Sequence, residues 1–301
     1  MKRKTVRIKV RRSKSERIGH FFIYLFLALF CFSTTYPFWH VLMYSISDSG
    51  AAMTGGLFFV PRDVTFLAYE MIFKTSQIFV AYGNTILRTV LGTALSVMLS
   101  ILTAFPLSRR RLRGRGGLSM VFFFTMLFTG GMIPTYLIVQ AYGLIDTFWA
   151  LILPSAMSAY NMFILRNYFK SIPDSLEESA HMDGANSFTV LFRIIVPVSK
   201  PAIAAVAMFY GVANWNEYMD GILYTNSPRL EILQVYLRKL MASTGTLGSL
   251  SGVDNLSAAA SLSEESMKMA TIAVSVIPVL IVYPFLQRYY TTGITMGAVK
   301  E

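Results

Sequence analysis

A short acidic segment lies between two long apolar stretches of the chain. Asp174, Glu177, Glu178 and Asp183 are close neighbours in the sequence, and Gly184 follows directly. Asp174 with Glu177 three positions later forms a capping-box pattern, which predicts that a helix begins here. Gly184 can take the left-handed conformation that ends a helix. The sequence therefore predicts a helix of about two and a half turns with an acidic edge.

A helix this short is not stable alone in water, so it needs a surface on which to dock. Leu176 and Ala180 share one face at i and i+4, and the acidic side chains point elsewhere. Asn186 or Ser187 can then cap a second helix. The segment could dock on a soluble partner that transmits force, or it could be an ordinary loop on lipid headgroups. Its four acidic residues argue against an anionic membrane surface.

Polar residues also occur inside apolar stretches, above all in "ANWNEYMDG" at 213–221. Such residues are costly in a membrane unless they face a cavity or a partner helix, so they indicate a pathway. Amides, carboxylates and aromatic rings suit hydroxylated ligands such as sugars. Alternatively, Trp215 and Tyr218 form an interfacial belt and the carboxylates reach water. The candidate pathway residues are Tyr136, Gln140, Tyr160, Asn161, Asn214, Trp215, Asn216, Glu217 and Tyr218.

Other chemistry lacks the residues that it needs. His20, His40 and His181 fall on different segments without metal-ligand spacing, so no metal site is expected. The single cysteine, Cys31, excludes an internal disulfide. No G-x-x-x-x-G-K-[ST] phosphate loop is present. We therefore expect no cofactor and no enzymatic activity in this chain.

The composition is that of an integral membrane protein. Of 301 residues, 54% are hydrophobic and 14% are charged, and the mean hydropathy is +0.52. A spanning helix needs about 20 mainly apolar residues. The sequence predicts an all-α membrane fold, one domain over residues 1–301, with six transmembrane helices. Their approximate ranges are 21–46, 82–107, 118–142, 148–168, 194–224 and 269–289.

Basic residues predict the orientation, because short cytoplasmic loops retain Lys and Arg. Residues 1–20 hold nine Lys and Arg, and "RRRLRGRG" follows the second span. Both should be cytoplasmic, together with residues 166–200, which include the coupling loop at 171–193, and the C-terminal tail. The cytoplasmic segments then hold 20 of the 27 basic residues and 6 of the 16 acidic ones. These charges fit topology and anionic-lipid attraction, and no nucleic-acid partner is expected.

Two longer segments should lie on the outer side. Residues 47–81 contain apolar positions that suit a short interfacial helix. In 226–268, four leucines fall on one helical face and should pack on the membrane domain or on a partner. They are Leu230, Leu233, Leu237 and Leu240. The Ser-, Gly- and Ala-rich remainder should be mobile or order on contact. Within the third span, Gly130, Gly131 and Pro134 predict a break.

The acidic segment resembles the loop of ABC importer permeases. In that family, E-A-A is followed by three residues, a glycine, nine residues, and then I-x-L-P. Ser for the middle Ala and Val for Leu are the departures. The matching positions are Glu178, Ser179, Ala180, Gly184, Ile194, Val196 and Pro197. "IVPVSKPAIAAVAMFYGVANWNEYMDGILY" looks like the carbohydrate-uptake branch, and "TGGMIPTYLIVQAYGLIDTFWALILP" is similar to its oligosaccharide subgroup, including uronate-containing substrates.

The resemblance implies a type I importer permease that works by alternating access. Its partners would be a second, non-identical permease, two cytoplasmic ATPase subunits, an extracellular solute-binding protein and membrane lipids. The 174–184 helix would fit a groove on an ATPase. The implied coupling residues are Glu177, Glu178, Ser179, Ala180, Asp183, Gly184 and Pro197.

Other classes fit the sequence less well. A secondary transporter would need midplane ion sites and often shows inverted repeats, and an ABC permease for a non-sugar solute is a further alternative. An intramembrane metalloenzyme would need metal ligands at a regular spacing, which the three histidines do not have. A multi-pass protein of the cell membrane is common to the transporter interpretations.

Overall fold

The computed structural model describes residues 14–48, 50, 55–244 and 263–298. In this part of the chain the regular structure is helical, apart from an isolated bridge between Ser47 and Val64. The all-α prediction is confirmed. Short 3-10 turns occur at Phe148–Leu151 and Pro228–Leu230. The helices are α1 Lys14–Ser45, α2 Leu67–Lys74, α3 Gln77–Ser108, α4 Arg115–Leu127, α5 Met132–Ala141, α6 Ala159–Ser171, α7 Asp174–Met182, α8 Ser187–Val198, α9 Lys200–Asn216, α10 Met219–Tyr224, α11 Leu233–Thr244 and α12 Glu264–Ala298.

The described residues form two compact units. The smaller holds the chain up to Tyr69 and part of α12 up to Ala273, and the larger holds the rest. In the smaller unit, the loop after α1 folds back on that helix: Phe58 is buried, and its N–H donates to the Tyr36 hydroxyl at 3.1 Å. The predicted single domain stays a prediction. Most of the basic N-terminus and residues 245–262 of the second outer segment lie outside the described residues.

Among the described residues, three helices are long and apolar enough to cross a membrane: Ile18–Ser45, Gln77–Ser108 and Glu265–Val282. Two bent pairs pass the same test together. Arg115–Leu127 with Met132–Ala141 bends by 113°, and Ser187–Val198 with Lys200–Asn216 bends by 84°. The first bend lies at the predicted glycine break, where Gly131 has a φ of 85°. If each bent pair is counted as one span, five of the six predicted spans have a helical counterpart of sufficient length.

The fourth predicted span, 148–168, is not a continuous helix. A 3-10 turn ends at Leu151, and α6 starts only at Ala159, where the Ser158 hydroxyl caps it by accepting from the Asn161 N–H. Pro154 lies between them, and proline supplies no N–H for a helical bond. Hydropathy alone could not show this interruption, because it averages over the break.

Contacts at the two ends of α3 show which way these pieces run. At its start, the Gln77 side chain donates to the Pro228 carbonyl at 2.6 Å. Asp146 belongs to the same end, because its carboxylate accepts from the Ser227 N–H at 2.8 Å. Just beyond the other end of α3, Arg109 lies 2.7 Å from Glu177. A 32-residue helix is about 48 Å long, so the chain runs the length of α3 between positions 109 and 146, and again between 146 and 177.

Small residues let α3 sit at the centre of the larger unit, where α6 and α9 pack against it. Its buried positions recur every three or four residues, as a helix requires. Close approach of helices through small side chains is typical of membrane proteins. The small buried residues of α3 include Ala81, Thr85, Gly92, Ser96, Ser100 and Ala104.

The predicted outer helices are present. α2 lies within 47–81, and α11 lies within 226–268. In α11, Leu233 and Leu237 are buried. The N–H of Leu233 also donates to the Thr85 hydroxyl of α3 at 2.8 Å. The predicted packing is confirmed for these two leucines. Leu240 is half-buried, and Leu230 lies in the 3-10 turn before α11, so it does not belong to this helical face.

Candidate functional site

The predicted acidic helix is α7, and its end is built as the sequence indicated. Gly184 follows it with a φ of 82°. The Ala185 N–H donates to the Ala180 carbonyl at 2.9 Å, and the Gly184 N–H donates to the His181 carbonyl at 3.0 Å. These bonds satisfy carbonyls that the last turn would otherwise leave without partners. Asn186 then caps α8, its side chain accepting from the Thr189 N–H at 2.8 Å.

The predicted capping box at the start of α7 is wrong. Asp174 is already helical, and no side chain caps this end. Asp174 and Glu177 instead face Arg109, at 3.6 and 2.7 Å from its guanidinium. The Arg109 side chain is only 9% exposed, and a buried cation needs a nearby opposite charge. This requirement outweighs the weaker bonds that the carboxylates could make to backbone N–H groups.

The acidic residues of α7 therefore divide into two sets. Glu177 is 12% exposed and points into the chain, whereas Glu178 is exposed. His181 supports the inner set, with Nδ1 2.8 Å from the Ala185 carbonyl and Nε2 3.6 Å from Glu177. Ala180 is buried as well. The outward face, as we define it, consists of the exposed residues Leu176, Glu178, Ser179 and Met182 of α7 and of Asp183, which directly follows the helix.

Past α7, the chain turns toward α9 through an irregular stretch. The middle of α8, Leu191–Ile195, is π-helical, and Pro197 follows. Proline cannot donate to the carbonyl four residues before it, so regular α-helical bonding is interrupted here. Pro197, which the resemblance selected, thus lies beside the 84° bend between α8 and α9.

The pathway candidates lie on three separate elements. Tyr136 and Gln140 belong to α5, where Tyr136 stacks on Tyr224 and Gln140 is exposed. On α6, Tyr160 is 60% exposed and Asn161 is buried. The others lie at or just past the end of α9.

The group at the end of α9 is mostly engaged in internal contacts. Asn214 is buried near Thr93 at 3.4 Å, and Trp215 donates to the Ser275 carbonyl at 3.2 Å. Glu217 accepts from the Met219 N–H at 2.8 Å. Asn216 and Tyr218 remain exposed, as contact with a ligand would require.

A buried ion pair beside this group was not predicted. Arg88 is fully buried on α3, and its Nη2 lies 2.7 Å from the Asp220 carboxylate on α10. Arg88 also donates to the carbonyls of Leu151 at 2.8 Å and Glu217 at 3.1 Å. The signal was present in the sequence, because a charged residue inside an apolar span is rare without a role.

Among the described residues, no group of three or more His, Cys, Asp or Glu side chains could hold a metal ion. The polar arrangement suits docking and binding by hydrogen bonds.

Comparison with known proteins identifies the family. A family model described as "Binding-protein-dependent transport system inner membrane component" matches residues 9–296. The chain belongs to this family, and it is a multi-pass membrane permease component of an ABC transport system.

Three similar proteins make the comparison more specific. The "Polygalacturonan/rhamnogalacturonan transport system permease protein YtcP" of Bacillus subtilis (strain 168) is 43% identical over 95% of this chain and 99% of the relative. Protein LplC of the same organism is 39% identical over 89% and 90%. A crystal structure of a bacterial ABC transporter "involved in the import of the acidic polysaccharide alginate" has a TM-score of 0.82 at 34% identity, covering 94% of this chain and 100% of that one.

Proposed function

We propose that this permease imports uronate-containing oligosaccharides. Two relatives support the substrate class: one is named for polygalacturonan and rhamnogalacturonan, and the other for alginate. These polymers are built partly or wholly from sugar acids. Relatives named for neutral sugars, such as the melibiose/raffinose/stachyose permease MelC, are only 26% identical.

The 174–184 segment is the point at which ATP hydrolysis by partner subunits drives this permease. The observation that carries the proposal is the division of its acidic residues. Glu177 holds the segment on Arg109, while Glu178 faces outward and is free to meet a basic residue of an ATPase. Exposed Met182 and Leu176 add apolar surface beside it. A helix anchored on one face and open on the other can transmit a push from a docked partner.

The remaining partners follow from the family description. A binding-protein-dependent system implies a solute-binding protein outside the membrane. The chain lacks a phosphate loop, so two ATPase subunits and a second permease would complete the complex. For the pathway, exposed Gln140, Tyr160, Asn216 and Tyr218 are free to bind sugar hydroxyls, whereas Asn161, Asn214 and Trp215 line or support it from buried positions.

Replacement of Glu178 tests the coupling proposal. Glu178→Lys should abolish uptake of labelled oligogalacturonate and co-purification of the ATPase, because reversal of a docked charge costs about 2–5 kcal/mol. Glu70→Lys is the matched control, since Glu70 is also exposed but lies on α2. Membrane levels of both variants should equal those of the parent. Parental uptake by Glu178→Lys would overturn the coupling role.

Substrate competition tests the sugar class separately. Unlabelled oligogalacturonate should compete with the labelled compound, and a neutral oligosaccharide of equal length should not. Equal competition by both would overturn the uronate preference and leave the coupling result standing.

A further inference from the structure

A cavity of about 650 Å³ lies between the far end of α3 and the segment formed by α7 and the start of α8. One side of it is apolar, and the other carries charged groups. Arg109, Arg111, Glu177 and His181 supply the charged side. The apolar wall, as we define it, consists of Leu102, Phe105, Pro106, Leu112, Phe188 and Leu191.

Among the residues that line the cavity, the two arginines outnumber Glu177 by one charge, while Asp174, outside the lining, also lies 3.6 Å from Arg109. Glu177 pairs with Arg109 at 2.7 Å, which leaves Arg111 uncompensated in the lining of this cavity. Arg111 is exposed and makes no ion pair with any residue that the structure describes. Arg109 has spare capacity too: its side chain is more than nine-tenths buried, and Nη2 has no hydrogen-bond partner among the described residues. Both observations favour an anionic occupant.

The cavity lies at one end of a candidate membrane span. α3 is long and apolar enough to span a membrane, and it ends at Ser108, directly before the three arginines. Basic residues at the cytoplasmic end of a span attract anionic lipids. Phe188 on the apolar wall is 69% exposed, so an acyl chain has an uncovered surface to contact.

We propose that this cavity binds one anionic phospholipid, with its phosphodiester at Arg111 and Arg109 and an acyl chain along the apolar wall. A lipid with a single net negative charge, such as phosphatidylglycerol, matches the excess of one positive charge in the lining. A free phosphate would satisfy the arginines and leave the apolar wall uncovered. An ATPase docked on the outward face of α7 would leave the cavity to the lipid.

Lipid binding by the purified full-length chain, with any subunits that co-purify, tests the proposal. The chain is reconstituted in nanodiscs of phosphatidylcholine, of phosphatidylcholine with phosphatidylglycerol, or of phosphatidylcholine with inorganic phosphate in the buffer. Native mass spectrometry then counts retained lipids. We expect the chain to retain one phosphatidylglycerol. Arg111→Gln should weaken the binding of this lipid about fivefold, and Arg111→Lys should largely restore it.

Arg113→Gln is the matched control. It removes the same charge from the same exposed loop, but Arg113 does not line the cavity. Equal weakening by the two Gln variants would reduce the effect to general surface charge and overturn the site. If inorganic phosphate is retained as well as phosphatidylglycerol, the cavity is a free-anion site. If a protein partner cross-links to Arg111→Cys, that protein and not a lipid occupies the cavity. Each of these results contradicts the proposal.

Discussion

Arg88 joins three parts of the larger unit through one side chain. It binds the Asp220 carboxylate and the carbonyls of Leu151 and Glu217, all from a fully buried position. It thus ties α3 to the 3-10 turn after Thr147 and to the break between α9 and α10. The ends of two discontinuous elements are held in place by this residue.

We predict that Arg88→Met destabilises the chain by about 3–5 kcal/mol, because it leaves Asp220 buried without a counter-charge. The double variant Arg88→Met with Asp220→Leu should recover part of that loss, since it removes both charges. Thermal unfolding in detergent measures the change. As a control, Arg238→Met removes an exposed cation over Tyr218 and should cost less than about 1 kcal/mol. Equal losses at positions 88 and 238 would contradict the assignment.

A second prediction concerns the Arg109–Glu177 pair, which holds α7 in place. Arg109→Gln and Glu177→Gln should each lower uptake, because either change leaves the other group in a poorly solvated position. Their effects should overlap in the double variant, with a coupling of about 0.5–3 kcal/mol. Initial uptake rates at equal membrane levels measure it. Strictly additive effects would mean that the pair does not act as a unit.

The burial of individual charged residues could not be predicted from the sequence. Arg109 is one of five arginines in "RRRLRGRG", and nothing local distinguishes it from exposed Arg110 and Arg111. Its burial depends on α7, which is distant in the sequence. For the same reason the local pattern of Asp174 and Glu177 wrongly predicts a cap, because Arg109, a tertiary partner, takes both carboxylates.

For the helices, the residues near each end predicted where a helix stops better than they predicted whether it is continuous. Gly184 and Asn186 act on their own neighbours, so a stop and a cap could be predicted from the residues alone. The bends of 113° and 84° depend on packing around Gly131 and Pro197. The interruption at Pro154 was hidden within an apolar run that otherwise has the length of a span.

The contact between α10 and the start of α11 predicts the effect of a substitution at Gly221. A Cβ at Gly221 would lie 2.8 Å from the side chains of Ile232 and Val235, which are both buried. Gly221→Ala should therefore destabilise the chain by about 1–3 kcal/mol, despite the better helix propensity of alanine. Gly83→Ala on α3 meets nothing within 4 Å and should be neutral or stabilising. Thermal unfolding compares them, and a neutral Gly221→Ala would show that α11 can shift away.

At the scale of the whole molecule, topology determines whether the acidic segment can reach an ATPase. The Arg109–Glu177 pair places the arginine loop and α7 at the same end of α3. Asp146 and Ser227 meet at the opposite end, where Gln77 also lies. The chain therefore crosses the length of α3 between 109 and 146, and back before 174, although neither connection is one straight helix. The charge bias predicts that the arginine end lies in the cytoplasm.

Cysteine labelling tests this topology directly. Replacing Cys31 with Ser gives a background without thiols, since the chain has one cysteine. In intact cells, a membrane-impermeant maleimide should label Asn226→Cys but not Arg113→Cys or Lys170→Cys, and all three should react after lysis. The three positions are exposed, so burial does not limit the reaction. Labelling of Lys170→Cys from outside would mean that the stretch between Asp146 and Lys170, which contains α6, does not cross the membrane. Because Lys170 lies just before α7, that helix would then be away from any cytoplasmic ATPase. Such a result would contradict both the predicted orientation and the coupling role of Glu178.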